Sequence, residues 1–140
     1  MAYLLAALGG ALGALARWSL STALPSSPGG WPWATLLVNL AGCLLIGALL
    51  AVLLARYPHS RRLRPFLATG VLGGFTTYST FAVDTVTLVD AGRPGVAIGY
   101  VLASVLGGVL AVVAGLLLGR AVVRAAETLD AELAAGEGWS

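Results

Sequence analysis

Residues 73–81 read GGFTTYSTF, near the middle of an otherwise apolar run from Phe66 to Val89 that is long enough to cross a bilayer. About 20 helical residues at 1.5 Å each span the roughly 30 Å of hydrocarbon. Two glycines and five consecutive hydroxyl residues, Thr76, Thr77, Tyr78, Ser79 and Thr80, oppose a continuous helix at that depth. Glycine lowers helix propensity and β-branched threonine lowers it further, which predicts a break in the helix. A broken membrane helix survives where its freed backbone groups are buried in protein or line a cavity, and carbonyls released there can bind a cation. The plainer alternative is a kink whose hydroxyls bond back to carbonyls one turn earlier.

Working outward, 59% of the 140 residues are hydrophobic and 10% are charged, with a mean hydropathy of +0.93. An ordinary soluble domain carries about 25% charged residues. The chain therefore reads as an all-α integral membrane protein with four transmembrane helices, at residues 2–24, 33–55, 66–89 and 95–119. These make one channel-sized domain over residues 1–125, followed by a short acidic tail at 126–140, helical at first and then frayed. The first apolar stretch has no Lys or Arg ahead of it and exceeds the 7–15 residues of a signal-peptide core, so it reads as a retained helix. Cys43 is the single cysteine and falls inside the second helix, which excludes an intramolecular disulfide and reads as packing.

All eight basic residues are arginine. Arg56, Arg61, Arg62 and Arg64 crowd the loop between helices two and three, and Arg120 and Arg124 follow helix four. The first loop, PSSPGG, has none and the third has Arg93 alone. The positive-inside rule then places both termini and the middle loop in the cytoplasm. Neither the net charge of +2 nor the basic pI of about 9.1 suggests nucleic acid.

Small residues recur at four-residue spacing at Gly9/Gly13, Gly70/Gly74, Gly95/Gly99 and Gly115/Gly119, the spacing that lets membrane helices approach closely. Four short helices with small faces enclose little volume, so a working site is expected between subunits. Trp18, Trp31, Trp33 and Tyr57 fall near helix ends and read as interfacial anchors.

Polar groups inside the spans are costly unless they pair or line a wet path. Arg17 lies about two turns from the end of helix one, where it either snorkels to the interface or concentrates anions at a pore mouth. Asn39 can neither snorkel nor ionise, so its amide either ties two helices together or donates to an anion. Tyr100 and Ser104 stand four apart on one face of helix four, with Gly108 next along the stripe, and with Asn39 they suggest a path of hydroxyl and amide donors.

These residues resemble the CrcB/Fluc fluoride channels. GGFTTYSTF is similar to that family's helix-three signature, and GGALGALARW (Gly9 to Trp18) and NLAGCLLIG (Asn39 to Gly47) carry the likeness along helices one and two. The resemblance implies an antiparallel, dual-topology dimer in the plasma membrane, passing fluoride through two narrow pores with one sodium ion at its centre. It implies that the backbone carbonyls of Gly73 and Thr76 hold the sodium. Tyr78 and Phe81 take the places of two pore phenylalanines, Asn39 that of the pore asparagine, Arg17 that of the helix-one arginine, and Tyr100 and Ser104 those of the polar track. Thr77 and Ser79 complete the candidate pore. Three positions depart from the pattern: Tyr78 stands where phenylalanine is usual, Gly108 replaces the last hydroxyl of the track, leaving water or a neighbouring Thr to substitute, and Asp84 stands where glutamate is common.

The chemistry of the residues agrees with such a pore. Fluoride is small and strongly hydrated, so a selective path must replace its water with many short donors, which Asn, Ser, Thr and Tyr supply. Aromatic ring edges carry the positive end of the quadrupole. Weak binding at several sites, with no full charge to trap the ion, is what conduction requires.

Six arginines on one side against one on the other, or two with Arg17, sit poorly with insertion in both orientations. A preferred orientation follows, and with it either a homodimer or a pairing with a related, oppositely oriented chain. Two rival readings stand beside the channel. A small proton-coupled multidrug-type exporter needs a membrane-embedded carboxylate, for which Asp84 is the candidate, though such proteins carry theirs on helix one. A structural membrane subunit would use every polar residue as glue between helices. An enzyme is not supported: His59 sits in the arginine-rich loop, away from any nucleophile or ligand set.

Overall fold

The computed structural model describes residues 1–24 and 30–137. Within them the chain forms α1 (Ala2–Ala23), α2 (Trp33–Arg56), a π-helix (Arg64–Leu72) that runs into the short α3 (Gly73–Phe75), then α4 (Tyr78–Asp90) and α5 (Pro94–Glu137). Four helical segments are long and apolar enough to cross a membrane, with the third, Arg64–Asp90, interrupted at its centre. The first loop falls largely outside the described residues, as does the end of the tail where fraying is expected.

The helices associate as two pairs, α1 along the π-helix and α3, and α2 along α5, while α1 and α2 touch little. Glycine makes both contacts possible, because lipid supplies no hydrophobic drive between helices and backbones must come close. A Cβ on Gly13 would collide with the carbonyl of Val71, and one on Gly74 with the carbonyl of Gly10. In the second pair, a Cβ on Gly115 would strike Leu44 O and lie 2.9 Å from Ala48 N, and one on Gly47 would strike Val112 O. Gly95/Gly99 differs from the other three pairs: Gly95 faces open space and Gly99 accommodates the Trp31 ring. Four-residue spacing alone does not distinguish a contact face from an empty one.

The third span is π-helical over nine residues, whereas most π-structure is a single-turn bulge, frequently at a functional site. It begins at Arg64 with Pro65 next, where a missing N–H costs nothing. Gly92, at φ 71°, makes the turn from α4 into α5.

α5 does not stop at residue 119 but continues unbroken for 44 residues, about 66 Å and roughly twice the hydrocarbon thickness. Between Gly119 and Gly136 the sequence has no Pro or Gly and is rich in Ala, Leu, Arg and Glu, so nothing ends the helix. An ion pair between Arg56 and Asp130, 3.6 Å apart, ties this extension to the end of α2. The arginine-bearing ends of α2 and α5 therefore lie together, as the charge pattern requires.

A small core of Leu36, Leu88, Ala97 and Tyr100, joined by Trp31, Leu40, Phe81 and Val96, closes the end opposite the arginine-rich loop. Trp31 belongs to this core rather than to the interfacial anchors: its ring meets Tyr100 edge-on at 6.0 Å and tilts against Trp33 at 5.9 Å. Trp18, Trp33 and Tyr57 remain exposed near helix ends, as interfacial rings should.

Candidate functional site

The third span breaks at Thr76 and Thr77, both with extended backbone (ψ 155° and 120°) between α3 and α4. Each end of the break has its own ties. The carbonyl of Leu72 accepts from Thr76 N at 3.0 Å and from Thr76 Oγ1 at 2.9 Å. Arg17 Nε donates to Gly74 O at 3.2 Å, which places a guanidinium against the carbonyl end of α3, the negative end of its peptide dipoles. Arg17 is thus tied to α3 through Nε.

On the other side of the break, Thr77 is the N-cap of α4, its Oγ1 accepting from Thr80 N at 3.1 Å and lying within 2.9 Å of Thr80 Oγ1 and 3.3 Å of Ser79 Oγ. Asn39 reaches across from α2 and satisfies both backbone groups of the same residue: Nδ2 donates to Thr77 O at 2.9 Å and Oδ1 accepts from Thr77 N at 2.8 Å. The helix-to-helix role and the donor role are compatible, because an amide nitrogen carries two protons and one is left over.

Beside the break lies a groove of about 450 Å³ that opens on the protein surface. Of the candidate site residues, it gathers Asn39, Thr77, Tyr78, Phe81 and Ser104 with Gly73 and Thr76. Three candidates fall elsewhere. Tyr100 is fully buried behind the Phe81 ring, 5.4 Å away, Ser79 is exposed beyond the groove, and Arg17 sits on the far side of α3.

A second cavity runs on along α5 past Ser104 to Gly108 and Val113, sharing Cys43, Ser104 and Val105 with the first, so Ser104 and Gly108 of the inferred stripe line adjoining cavities while Tyr100 does not. The Ser104 hydroxyl is buried there and, one turn after Tyr100 on α5, faces the Tyr100 hydroxyl without a well-formed hydrogen bond. A Cβ on Gly108 would stand 3.5 Å from Cys43 Sγ, so the neighbour of this departure from the hydroxyl track is a thiol rather than a threonine.

Cys43, read from the sequence as a packing residue, also lines both cavities. Its position one turn after Asn39 was the available signal. Thr35, one turn before Asn39, is a further polar residue of the second span. It is buried, and its side chain faces the Tyr100 hydroxyl, which also donates to Asp84 Oδ2 at 3.4 Å.

A cation at the break is chemically reasonable. Gly73 has no side chain to screen its backbone, it shares the groove with Thr76, and both sit at the carbonyl end of a helix segment. Among the described residues no cluster of three His, Cys, Asp or Glu could hold a metal, so carbonyl oxygens, the ligands of hard cations, are the available set.

Residues 4–116 match the family model described as CrcB-like protein, Camphor Resistance (CrcB). The chain is 50% identical over 118 residues to the fluoride-specific ion channel FluC of Paracoccus denitrificans, covering 84% of this chain and 94% of that protein. It is 46% identical over 121 residues to the FluC of Agrobacterium fabrum, covering 83% and 94%. It is 49% identical over 98 residues to FluC 2 of Streptomyces avermitilis, covering 70% of this chain and 62% of that longer protein. The chain belongs to the CrcB-like family.

Proposed function

We propose that this member of the CrcB-like family is a fluoride-selective passive channel of the plasma membrane, a multi-pass protein that lets fluoride out of the cytoplasm and so limits its toxicity. One observation carries the reading: a groove between helices long and apolar enough to cross a membrane that brings the Asn39 amide, the Ser104 hydroxyl, and the Tyr78 and Phe81 rings together beside a helix break. Hydroxyl and amide donors replace water around a small anion, and ring edges add positive potential without a full charge. Hydrogen fluoride enters from acidic surroundings and dissociates in a neutral cytoplasm. A membrane potential of 100 mV then drives each anion outward with about 2.3 kcal/mol, so no coupled energy source is needed.

Within this reading Asn39, Thr77, Tyr78, Phe81, Tyr100, Ser104, Ser79 and Arg17 serve the anion path, Tyr100 as the wall behind Phe81 and Arg17 through the end of α3. The carbonyls of Gly73 and Thr76 would hold a sodium ion, whose charge would steady the break. The groove opens on the protein surface and the Tyr78 ring is 82% exposed in the single subunit, which favours closure by a second subunit. That partner is an antiparallel copy of this chain or a related chain of opposite orientation.

The exporter reading loses ground because its carboxylate, Asp84, lies against the Tyr100 hydroxyl rather than in the groove. The deciding experiment is fluoride efflux from liposomes containing the purified protein, with chloride as the control ion. Rapid fluoride release with chloride retained supports the channel. Equal release of both ions, or none from well-folded protein even with a partner chain supplied, removes it.

A further inference from the structure

The arginine-rich end of the molecule is a surface that the conduction reading leaves unexplained. Arg56 closes α2, Arg61 and Arg62 are exposed on the following loop, Arg64 opens the π-helix, and Arg120 and Arg124 are exposed on α5. The last two lie beyond the residues matched by the family model. Of these six arginines, Arg56 alone is paired with a carboxylate among the described residues, that of Asp130. Five arginines at one end of a membrane protein therefore stand without an acidic partner.

Their depth is fixed by the helices that carry them. α2 is 24 residues, about 36 Å, with exposed Trp33 at one end and exposed Tyr57 just past the other, where aromatic rings mark the headgroup level. Gly119 packs on Ala48 and Ala51, so Arg120 and Arg124 enter the same layer as the end of α2. Charge is also ordered along α5, with Arg120 and Arg124 first and Glu127, Asp130 and Glu132 after them. The carboxylates stand about 10–18 Å beyond Arg120 along the axis but about 4–12 Å beyond Arg124, so Arg120 is the better separated of the two. Asp130 reaches back to Arg56, so the cations left to meet a leaflet surface are led by Arg61 and Arg62 on the loop and Arg120 on α5.

We propose that this end is a binding surface for anionic phospholipid headgroups, with the arginine forks engaging phosphodiester oxygens. Guanidinium is suited to this geometry because it presents paired donors and is weakly hydrated. Each basic residue near a membrane surface adds about 1 kcal/mol of attraction, a factor of about five in affinity. Such a surface does more than orient the chain on insertion, because it retains particular lipids on the folded protein.

The test is native mass spectrometry of the purified full-length protein in neutral detergent, titrated with phosphatidylglycerol or phosphatidylcholine of the same acyl chains. The expected result is preferential retention of phosphatidylglycerol, weakened about 25-fold in the Arg61→Gln/Arg62→Gln protein with phosphatidylcholine retention unchanged. Equal retention of the two lipids by the native protein, or an undiminished preference in the double variant, overturns the proposal. So does a rise in melting temperature with inorganic phosphate that equals the rise with phosphatidylglycerol, since it would assign the arginines to free anions. Should the double variant misfold, a sodium chloride series on the native protein decides: retention must fall as salt rises, and retention indifferent to salt overturns the surface.

Discussion

Asn39 holds Thr77 by both of its backbone groups, at 2.9 Å through Nδ2 and 2.8 Å through Oδ1, and so replaces from a neighbouring helix the two hydrogen bonds that the broken span gives up. Backbone groups freed from a membrane-spanning helix must find partners within the protein, and this amide is one of the ties that let the break persist.

Replacing that amide is the first prediction. Asn39→Ala leaves an N–H and a C=O unpaired in a low-dielectric site, at about 1–3 kcal/mol each. Fluoride efflux should fall at least tenfold, and the melting temperature should drop with it. Asn39→Asp keeps the acceptor for Thr77 N and adds a negative charge to the groove. It should therefore lose efflux with a smaller loss of stability. A variant with full efflux would remove Asn39 from the path.

The two rings make separate predictions. Tyr78 is 82% exposed and contacts Phe81 at 6.0 Å, whereas Phe81 also packs on buried Tyr100. Tyr78→Phe keeps the ring edge and loses only the hydroxyl, so efflux should stay within a few-fold. Tyr78→Ile removes the ring and should cut efflux at least tenfold without lowering stability. Phe81→Ile should do both, with a melting loss worth about 1 kcal/mol from the lost aromatic contact. Efflux and thermal melts on the same preparations distinguish the three.

Much of this was legible in the sequence because lipid makes polar exceptions conspicuous. The break at GGFTTYSTF follows from propensity, and Asn39, Tyr78, Phe81 and Ser104, each singled out in the sequence, line one groove beside it. What was not legible is pairwise. Nothing local tells that Arg17 meets Gly74 or that Trp31 packs inside on Tyr100, because those contacts depend on which helices become neighbours. The end of the fourth apolar span at 119 is not the end of α5, because hydropathy falls there but helix propensity does not, and the helical start expected of the tail is continuous with the span.

Glycine spacing can be tested against glycine contact. Gly115→Val would force a side chain into Leu44 O and prise α2 from α5, an overpacking cost of about 1–3 kcal/mol or more. Gly95→Ala shares the same four-residue spacing but meets nothing within 4 Å. Size-exclusion profiles after heating should show the first variant lost several degrees earlier and the second unchanged. Equal behaviour would mean that the close backbone approach of α2 and α5 contributes nothing to assembly.

Arg17 separates charge from hydrogen bonding. If its contribution is the bond from Nε to Gly74 O, Arg17→Ala frees the carbonyl end of α3 and costs about 1.5–3 kcal/mol, the range for hydrogen bonds to charged groups. Arg17→Gln then restores part of the stability, because a neutral donor still reaches. If its contribution is a field that gathers anions, Arg17→Lys keeps efflux and Arg17→Gln does not, and the difference shrinks as salt rises. The 3.2 Å contact at the end of α3 favours the first outcome: Gln should outperform Ala in thermal stability, and the ratio of their efflux rates should not change between low and high ionic strength. An efflux rate that follows charge alone, with stability equal in Lys, Gln and Ala, would return Arg17 to the pore mouth.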